Sequence, residues 1–409
     1  MSDANRVKLS FVEESTFGTA KQNVLLQTLR HTGESLKQDT ATTISEEIRD
    51  DRQISDILRT GLSASGGINF ELSYGTYDDF LKAILNSSAW SSEVKYSAAT
   101  ISAVAFDNSI HDSASQFVTK GYQPNQWVKL SGFSTTGNNG WAKIVSVDPD
   151  EMVLSHITLT DEAAGSTVTI QMGGQIVNGT EDFVSWNVER QYIDLTPDVF
   201  SVFLGMCLNT LSLDIPADGI ITGSLTFMGS KEESKASSYG TGYSGATVTK
   251  VMTGVNHVDQ VLEGESEIGI LSFSMSVTNN LRQRMQVGTL GVVDMGMGTI
   301  EISGSVSLYL TDATLFDKYL NQTPTSFAIA FTDTDGNSYL IELPALKLVD
   351  GTRPAGGLNT DVVGEFEWRA YLDSSEGITV RIARFPTTTG DLAGTIAAIS
   401  STIGDVTVT

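Results

Sequence analysis

Basic residues are scarce in this 409-residue chain: 25 Lys and Arg stand against 49 Asp and Glu, a formal net charge of −24. Duplex DNA carries about one negative charge per 1.7 Å of its axis, so a surface of this sign does not make a DNA-holding groove. Cys207 is the only cysteine. An intramolecular disulfide and a CxxC zinc site are therefore excluded, and its setting in VFLGMCLNTL reads as that of a small buried hydrophobe. No run of about 18 apolar residues provides a membrane span. No basic and apolar leader precedes MSDANRVKLS, so synthesis in the cytoplasm is expected. His31, His111, His156 and His257 are scattered, without HExxH or comparable ligand spacing. Walker A, GxSxG and Cys/His nucleophile patterns are missing too. Paired carboxylates such as Asp78-Asp79 and Glu232-Glu233 are ordinary in so acidic a chain and do not nominate a glycosidase. The expectation is a non-enzymatic protein with no catalytic residues, no metal and no cofactor.

What is present is a globular composition, 40% hydrophobic and 18% charged. The length exceeds one ordinary core, and short strands bounded by turn residues point to a mainly β chain of two or three domains. A unit recurs. GGINFELSYGTYDDFLKAIL (66–85) runs through an alternating strand, with Ile68, Phe70 and Leu72 on one face, into a short aromatic helix; GSVSLYLTDATLFDKYLNQ (304–322) does the same with Val306, Leu308 and Leu310. Their helices align Tyr77, Phe80 and Leu81 with Phe316, Tyr319 and Leu320. TLSLDIPADGIITGSLTFMG likewise aligns with ALKLVDGTRPAGGLNTDVVGEFEWRAYL, matching Leu211 and Leu213 to Leu346 and Leu348, Gly223 to Gly364, and Leu225 and Phe227 to Phe366 and Trp368. Elements repeated in the same order imply a tandem duplication.

The resulting division is a discontinuous first domain (1–95 and 176–235), a small β domain inserted at 96–175, a Ser- and Gly-rich linker (236–247), a second domain (248–386) and a tail (387–409). Surface loops with close ends tolerate such insertions. A short apolar helix is expected at about 196–208. DTDGN (333–337) resembles the start of a calcium loop but lacks the distal Glu, and Asp335-Gly336 between apolar runs reads as a hairpin turn. The stretch from Thr40 to Thr60 crowds Glu46, Glu47, Arg49, Asp50, Asp51, Arg52, Asp56 and Arg59 together. It reads either as a solvated loop or short amphipathic helix, or as an arm whose mixed charge sets register against a neighbouring subunit.

The order RVKLSFVEESTFGTA, QTLRHTGESLKQDT, SEEIRDDRQISDILRTGLSASGGINFELSYGTYDDFLKAIL and RQYIDLTPDVFSVFLGMCLNTLSLDIPADGIITGSLTFMG resembles the tail tube proteins of long-tailed, siphovirus-type bacteriophages. The similarity is most specific over 1–90 and 180–230. It implies two tandem β-sandwich or barrel tube domains, each with a packed helix. It further implies a structural virion protein, assembled in the host cytoplasm, whose trimeric, pseudo-hexameric rings stack into a tube with an acidic channel for genome ejection. Its partners would be itself, the tape measure, tail tip and terminator proteins, and viral DNA passing without specific binding; no membrane is involved. On that reading Arg49, Asp51, Arg52 and Asp56 are candidate inter-subunit contacts, and Asn69, Glu71 and Ser73 are candidate channel-facing residues. The insertion would lie outside the tube. Two other classes stay open: a capsid-decorating or tail-tip protein, and a carbohydrate-binding protein built on Trp127 and Trp141, whose alternative role is packing in the insertion.

Overall fold

A computed structural model describes residues 2–387; apart from Thr387, the expected tail lies outside the described residues. The fold is mainly β, half of it strand, with short helices and open sheets, none closed into a barrel. The chain forms two compact units. The first contains residues 2–90, 176–329 and 342–381; the second contains 91–175, 330–341 and 382–387.

The first unit is built on an eight-stranded antiparallel run within a larger sheet. Its strands in chain order are β1 (Lys37–Ile44, led in by Gly33–Glu34), β2 (Ile57–Glu71), β3 (Val199–Pro216), β4 (Thr222–Gly229), β5 (Ser272–Thr278), β6 (Glu301–Tyr309), β7 (Ser338–Thr352, entering the unit at Glu342) and β8 (Val363–Ala370). Helix α1 (Asp78–Ile84) follows β2, and α2 (Thr314–Asn321) follows β6. In space the strands run β1-β2-β4-β3 and then β5-β6-β8-β7, so one order occurs twice, and β3 pairs with β5 to join the halves.

The register repeats as well as the order. Ile68 faces Leu225 as Val306 faces Phe366, Phe70 faces Gly223 as Leu308 faces Gly364, and Gly66 faces Phe227 as Gly304 faces Trp368. A bulge falls after Leu208 on β3 and after Leu348 on β7. The alignment of Gly223, Leu225 and Phe227 with Gly364, Phe366 and Trp368 is therefore the structural one. That of Leu211 and Leu213 with Leu346 and Leu348 is not: Leu348 stands where Leu208 does, and Gly351 where Leu211 does. Matching leucine to leucine sets the two strands five residues out, because their partners on β4 and β8 put Gly351, not Leu346, level with Leu211.

Steric crowding explains one repeated residue. A Cβ on Gly66 would lie 2.5 Å from the Ser35 carbonyl oxygen, and one on Gly304 would lie 1.9 Å from that of Ser274. In both repeats the neighbouring backbone occupies the space of a side chain.

The expected helix at 196–208 is instead the first half of β3, an 18-residue strand. Its apolar run is buried because Ser185–Tyr192 lies along one edge and Lys231–Lys235 along the other. A short, wholly apolar run has no period to distinguish buried strand from buried helix. The 236–247 segment is not a free tether: Tyr239 is buried, Gly242–Ser244 pairs in parallel with Leu25–Gln27, and the Tyr243 hydroxyl donates to Glu189 Oε1 at 2.7 Å.

The two helices differ in how they dock. Tyr77, Phe80 and Leu81 are all buried, with Phe70 and Tyr77 rings 4.2 Å apart. In α2 only Leu315 is buried, Phe316 and Tyr319 are half-buried, and Leu320 is 61% exposed. The aligned aromatic residues thus fill different environments, because α2 presents one side to solvent.

The second unit holds a seven-stranded sheet in the spatial order Val94–Ala98, Val168–Met172, Trp127–Ser131, Gly140–Val147, Glu151–Ser155, Ser109–Asp112, Ile101–Val104. Its core includes Ile110, Phe117, Val128, Ile144, Met152 and Ile170. Asp333 accepts the backbone N–H groups of Asp335 and Asn337 and the Asn337 amide, closing the 333–337 segment as a hairpin turn.

Gly66→Ala and Gly304→Ala are each expected to destabilise the folded chain by about 1–3 kcal/mol, as overpacking against fixed backbone does. Urea unfolding of the two variants measures it, and unchanged midpoints would contradict the shared steric requirement.

Candidate assembly surfaces

Strand alternation gives the eight-stranded sheet one apolar face and one polar face. Ile68, Phe70, Leu211, Leu213, Phe273, Val306 and Trp368 are buried on the first. The second is dominated by hydroxyls and carboxylates. Across it Ser212 and Ser224 are 2.8 Å apart, Ser272 and Ser307 2.7 Å, and Ser274 and Ser305 2.8 Å. Cross-strand pairs of this kind satisfy one another and leave a wall with few free donors for a phosphate. Asp214, Glu365 and Glu367 share that face with Lys37 and Arg369.

Of the candidate channel-facing residues, Asn69 is exposed and Glu71 half-buried on this polar face, opposite Ser224 and Thr222. Ser73 does not join them. It is fully buried beyond the end of β2, and its hydroxyl lies 2.7 Å from that of Thr76. Alternation carried past the strand end places Ser73 on the polar face; the chain has already turned toward α1.

The charged stretch is a projecting hairpin, the outer halves of β1 and β2 and the loop between them. Pairing continues to Ile44 opposite Ile57, and the Ser45 N–H donates to the Asp56 carbonyl at 3.0 Å. Arg49 makes a two-pronged contact with Asp51, at 3.0 and 2.7 Å, which holds the Asp51 carboxyl below its ordinary range. Asp51 also accepts the Gln53 N–H. Arg52 sits at φ 60 in the turn, and Asp56 accepts the Ile57 N–H at 2.7 Å. Arg49 and Asp51 are thus brought together, while Arg52 and Asp56 shape the loop separately. The more telling residues were hidden among the charges: Ile44, Ile48, Ile54, Ile57 and Leu58 are all at least half exposed, Ile48 almost completely. Their signal in the sequence is branched aliphatics spaced through a charged segment, which a charge count obscures.

The sheet also has two open edges. Among the described residues, β1 has a strand on one side only, β2, and the 350–352 part of β7 has only β8. Unpaired edges of this length are templates for another strand.

Two features of the second unit bear on other readings. Trp127 and Trp141 are 1% and 4% exposed, so neither offers a platform for a sugar. Their rings pack against His156 and Phe385. His111, which stands alone in sequence, lies with Asp107 and Glu151 so that their ligand atoms fall within 4.8 Å of one another, because His111 pairs with Glu151 across two strands.

The sequence matches the family described as phage tail tube protein over residues 4–370. No curated protein matches it.

Because the Arg49–Asp51 pair is solvent-exposed, Arg49→Ala is expected to leave the melting temperature of the isolated chain essentially unchanged. A thermal melt of the monomer checks it; a large loss would mean that the pair holds the hairpin together.

Proposed function

The chain belongs to the phage tail tube protein family, a structural component of the virion tail, and from that premise we propose that three copies close into a ring with six equivalent sheet positions. Rings then stack into the tube through which viral DNA leaves. The observation that carries this reading is the β3–β5 junction. It joins two copies of one four-stranded order edge to edge and leaves the corresponding edges at both ends of the sheet unpaired. Repeating one junction from chain to chain generates a closed ring, the ordinary outcome of head-to-tail contacts whose rotation closes. Two positions per chain then require three chains for six. Assembly would take place in the host cytoplasm, and the finished tube would meet the tape measure, tail-tip and terminator proteins at its interior and ends.

The polar face becomes the channel wall in this arrangement, since the apolar face is already covered by the core of the first unit. At physiological salt, electrostatic influence extends about 8 Å, so only wall residues act strongly on passing DNA. Paired hydroxyls and carboxylates dominate this face, and its exposed cations Lys37, held by Asp39, and Arg369 are few beside the many phosphate contacts that make DNA binding tight. The wall therefore encloses the polymer without gripping it, and no catalytic step enters this role. The inserted domain lies on the outside, where a folded domain does not obstruct transit. The hairpin with its exposed isoleucines reaches the next ring, its aliphatic side chains being buried there and its charges setting register.

Removal of residues 42–56, or the milder Ile48→Asp with Ile54→Asp, is expected to leave folded chains that no longer form filaments by negative-stain microscopy and sedimentation. Tubes of normal length would refute the assignment of the hairpin. Asn69→Lys with Glu71→Lys is expected to slow DNA release in an ejection assay, with the difference shrinking as salt is raised. Equal rates at low salt would remove these residues from the channel wall.

A further inference from the structure

Within the chain the two repeats meet with Thr210 opposite Thr278, Ser212 opposite Ser276 and Pro216 opposite Ser272. The repeated ladders show what stands at the same positions on the outer edges. Asp350, Gly351 and Thr352 correspond to Thr210, Leu211 and Ser212. Gly33, Glu34, Lys37, Gln38 and Asp39 correspond to Ser272, Phe273, Ser276, Val277 and Thr278.

We propose that residues 350–356 of one copy add antiparallel to residues 33–39 of a second copy in this register. Asp350 then lies opposite Asp39, Thr352 opposite Lys37 and Gly356 opposite Gly33, and β7 lengthens by residues 353–356 as it docks. The inference rests on the ring reading above and specifies its interface. β3 continues to Pro216 with β5 beside it, whereas β7 ends at Thr352, the equivalent of Ser212, and residues 353–356 are exposed outside any strand.

Backbone direction supports this register. The Asn279 N–H donates to the Asn209 carbonyl and the Ala217 N–H to the Leu271 carbonyl. Between those ends, alternate residues Leu211, Leu213 and Ile215 therefore direct their N–H and C=O groups at β5. Their counterparts are Gly351, Arg353 and Ala355 on one edge, facing Gln38, Leu36 and Glu34 on the other. At two of these positions the outward N–H is held by a carboxylate of the same chain: Gly351 donates to Asp350 Oδ1 and Leu36 to Glu34 Oε2, each at 2.8 Å. The Leu36 carbonyl accepts from Arg190 Nη1 at 3.2 Å. Side chains thus cap the two edges where an incoming strand would bond. Pro354, which lacks an N–H, corresponds to Asp214, whose N–H points away from β5, so it removes no bond from the new ladder.

The side chains differ as permanent and temporary edges should. Behind the β3–β5 junction Leu211, Leu213 and Ile215 meet Val277, Met275 and Phe273, all buried. The outer edges substitute Glu34, Gln38 and Arg353 into that face, and inward-pointing polar groups discourage indiscriminate edge pairing before assembly. Arg353 meanwhile lies 3.7 Å over the Phe316 ring. On the polar side Asp350 would face Asp39; Lys37, whose Nζ is 2.7 Å from Asp39 Oδ1, supplies the cation between them.

The test is a chain carrying Lys37→Cys and Thr352→Cys. Both positions are exposed, and a non-hydrogen-bonded pair brings Cα atoms to about 4.5 Å, within disulfide reach. Cys207 is buried, its thiol pushed up by burial, and remains silent. Mild oxidation of assembled rings is expected to give a covalent ladder ending at three chains on a non-reducing gel. Lys37→Cys with Asp350→Cys, two residues out of register, should link poorly. If the double variant does not fold, mixing the two single-cysteine chains should give covalent dimers only. Rings or tubes visible by microscopy that link better through the shifted pair, or not at all, would overturn the register while leaving the tube reading intact. A native chain that forms neither rings nor tubes would overturn both.

Discussion

Everything in the first unit depends on β3 lying beside β5. That pairing buries Leu211, Leu213 and Ile215 against Val277, Met275 and Phe273, and it converts two four-stranded halves into one eight-stranded sheet. Full burial of side chains of this size contributes about 1.5–3 kcal/mol each, so the junction belongs to the core of the fold, not to a contact between separable domains. Because the halves are equivalent, one junction inside the chain defines the geometry of another at its outer edges. In the ring proposed above, a duplicated chain would thereby carry a template of its own interface.

The same sheet separates two tasks by face. Toward the interior, alternating aliphatic and aromatic residues supply cohesion, with glycine wherever a neighbouring strand comes too close for a Cβ. Toward solvent, serines paired across strands satisfy one another, and the remaining charge is largely acidic. A face of this kind needs neither a pocket nor a reactive group. In the tube proposed above, its usefulness would lie in weak interaction with a long anionic polymer, where each cationic contact would add drag. The hairpin has the opposite character: its aliphatic side chains are exposed in the single chain and gain from burial only when another copy covers them.

Much of the sheet could be read directly from residues. Ile68, Phe70 and Leu72 alternate with polar neighbours, and Val306 and Leu308 repeat the pattern, because a two-residue period survives whatever the tertiary context. Gly223, Leu225 and Phe227 found their true partners in Gly364, Phe366 and Trp368 for the same reason. The errors arose where periodicity gave no guide. Residues 199–208 are apolar on both sides, so strand and helix look alike; Leu346 and Leu348 repeat the spacing of Leu211 and Leu213 five residues away from their true equivalents; Ser73 follows alternation until the chain turns away. In the hairpin, Arg49 and Asp51 were conspicuous as charges, yet they pair with each other, and the isoleucines that flank them, Ile48 and Ile54, are what remains available.

By itself the sequence determined the mainly β character, the duplication and the acidic balance, since these follow from composition, alternation and repeated order. Only the tertiary structure decided which strands are neighbours, where the bulges fall and which edges stay open. Those depend on hydrogen-bond pairing between segments far apart in the chain, and a strand's side-chain pattern does not encode which partner its backbone will meet.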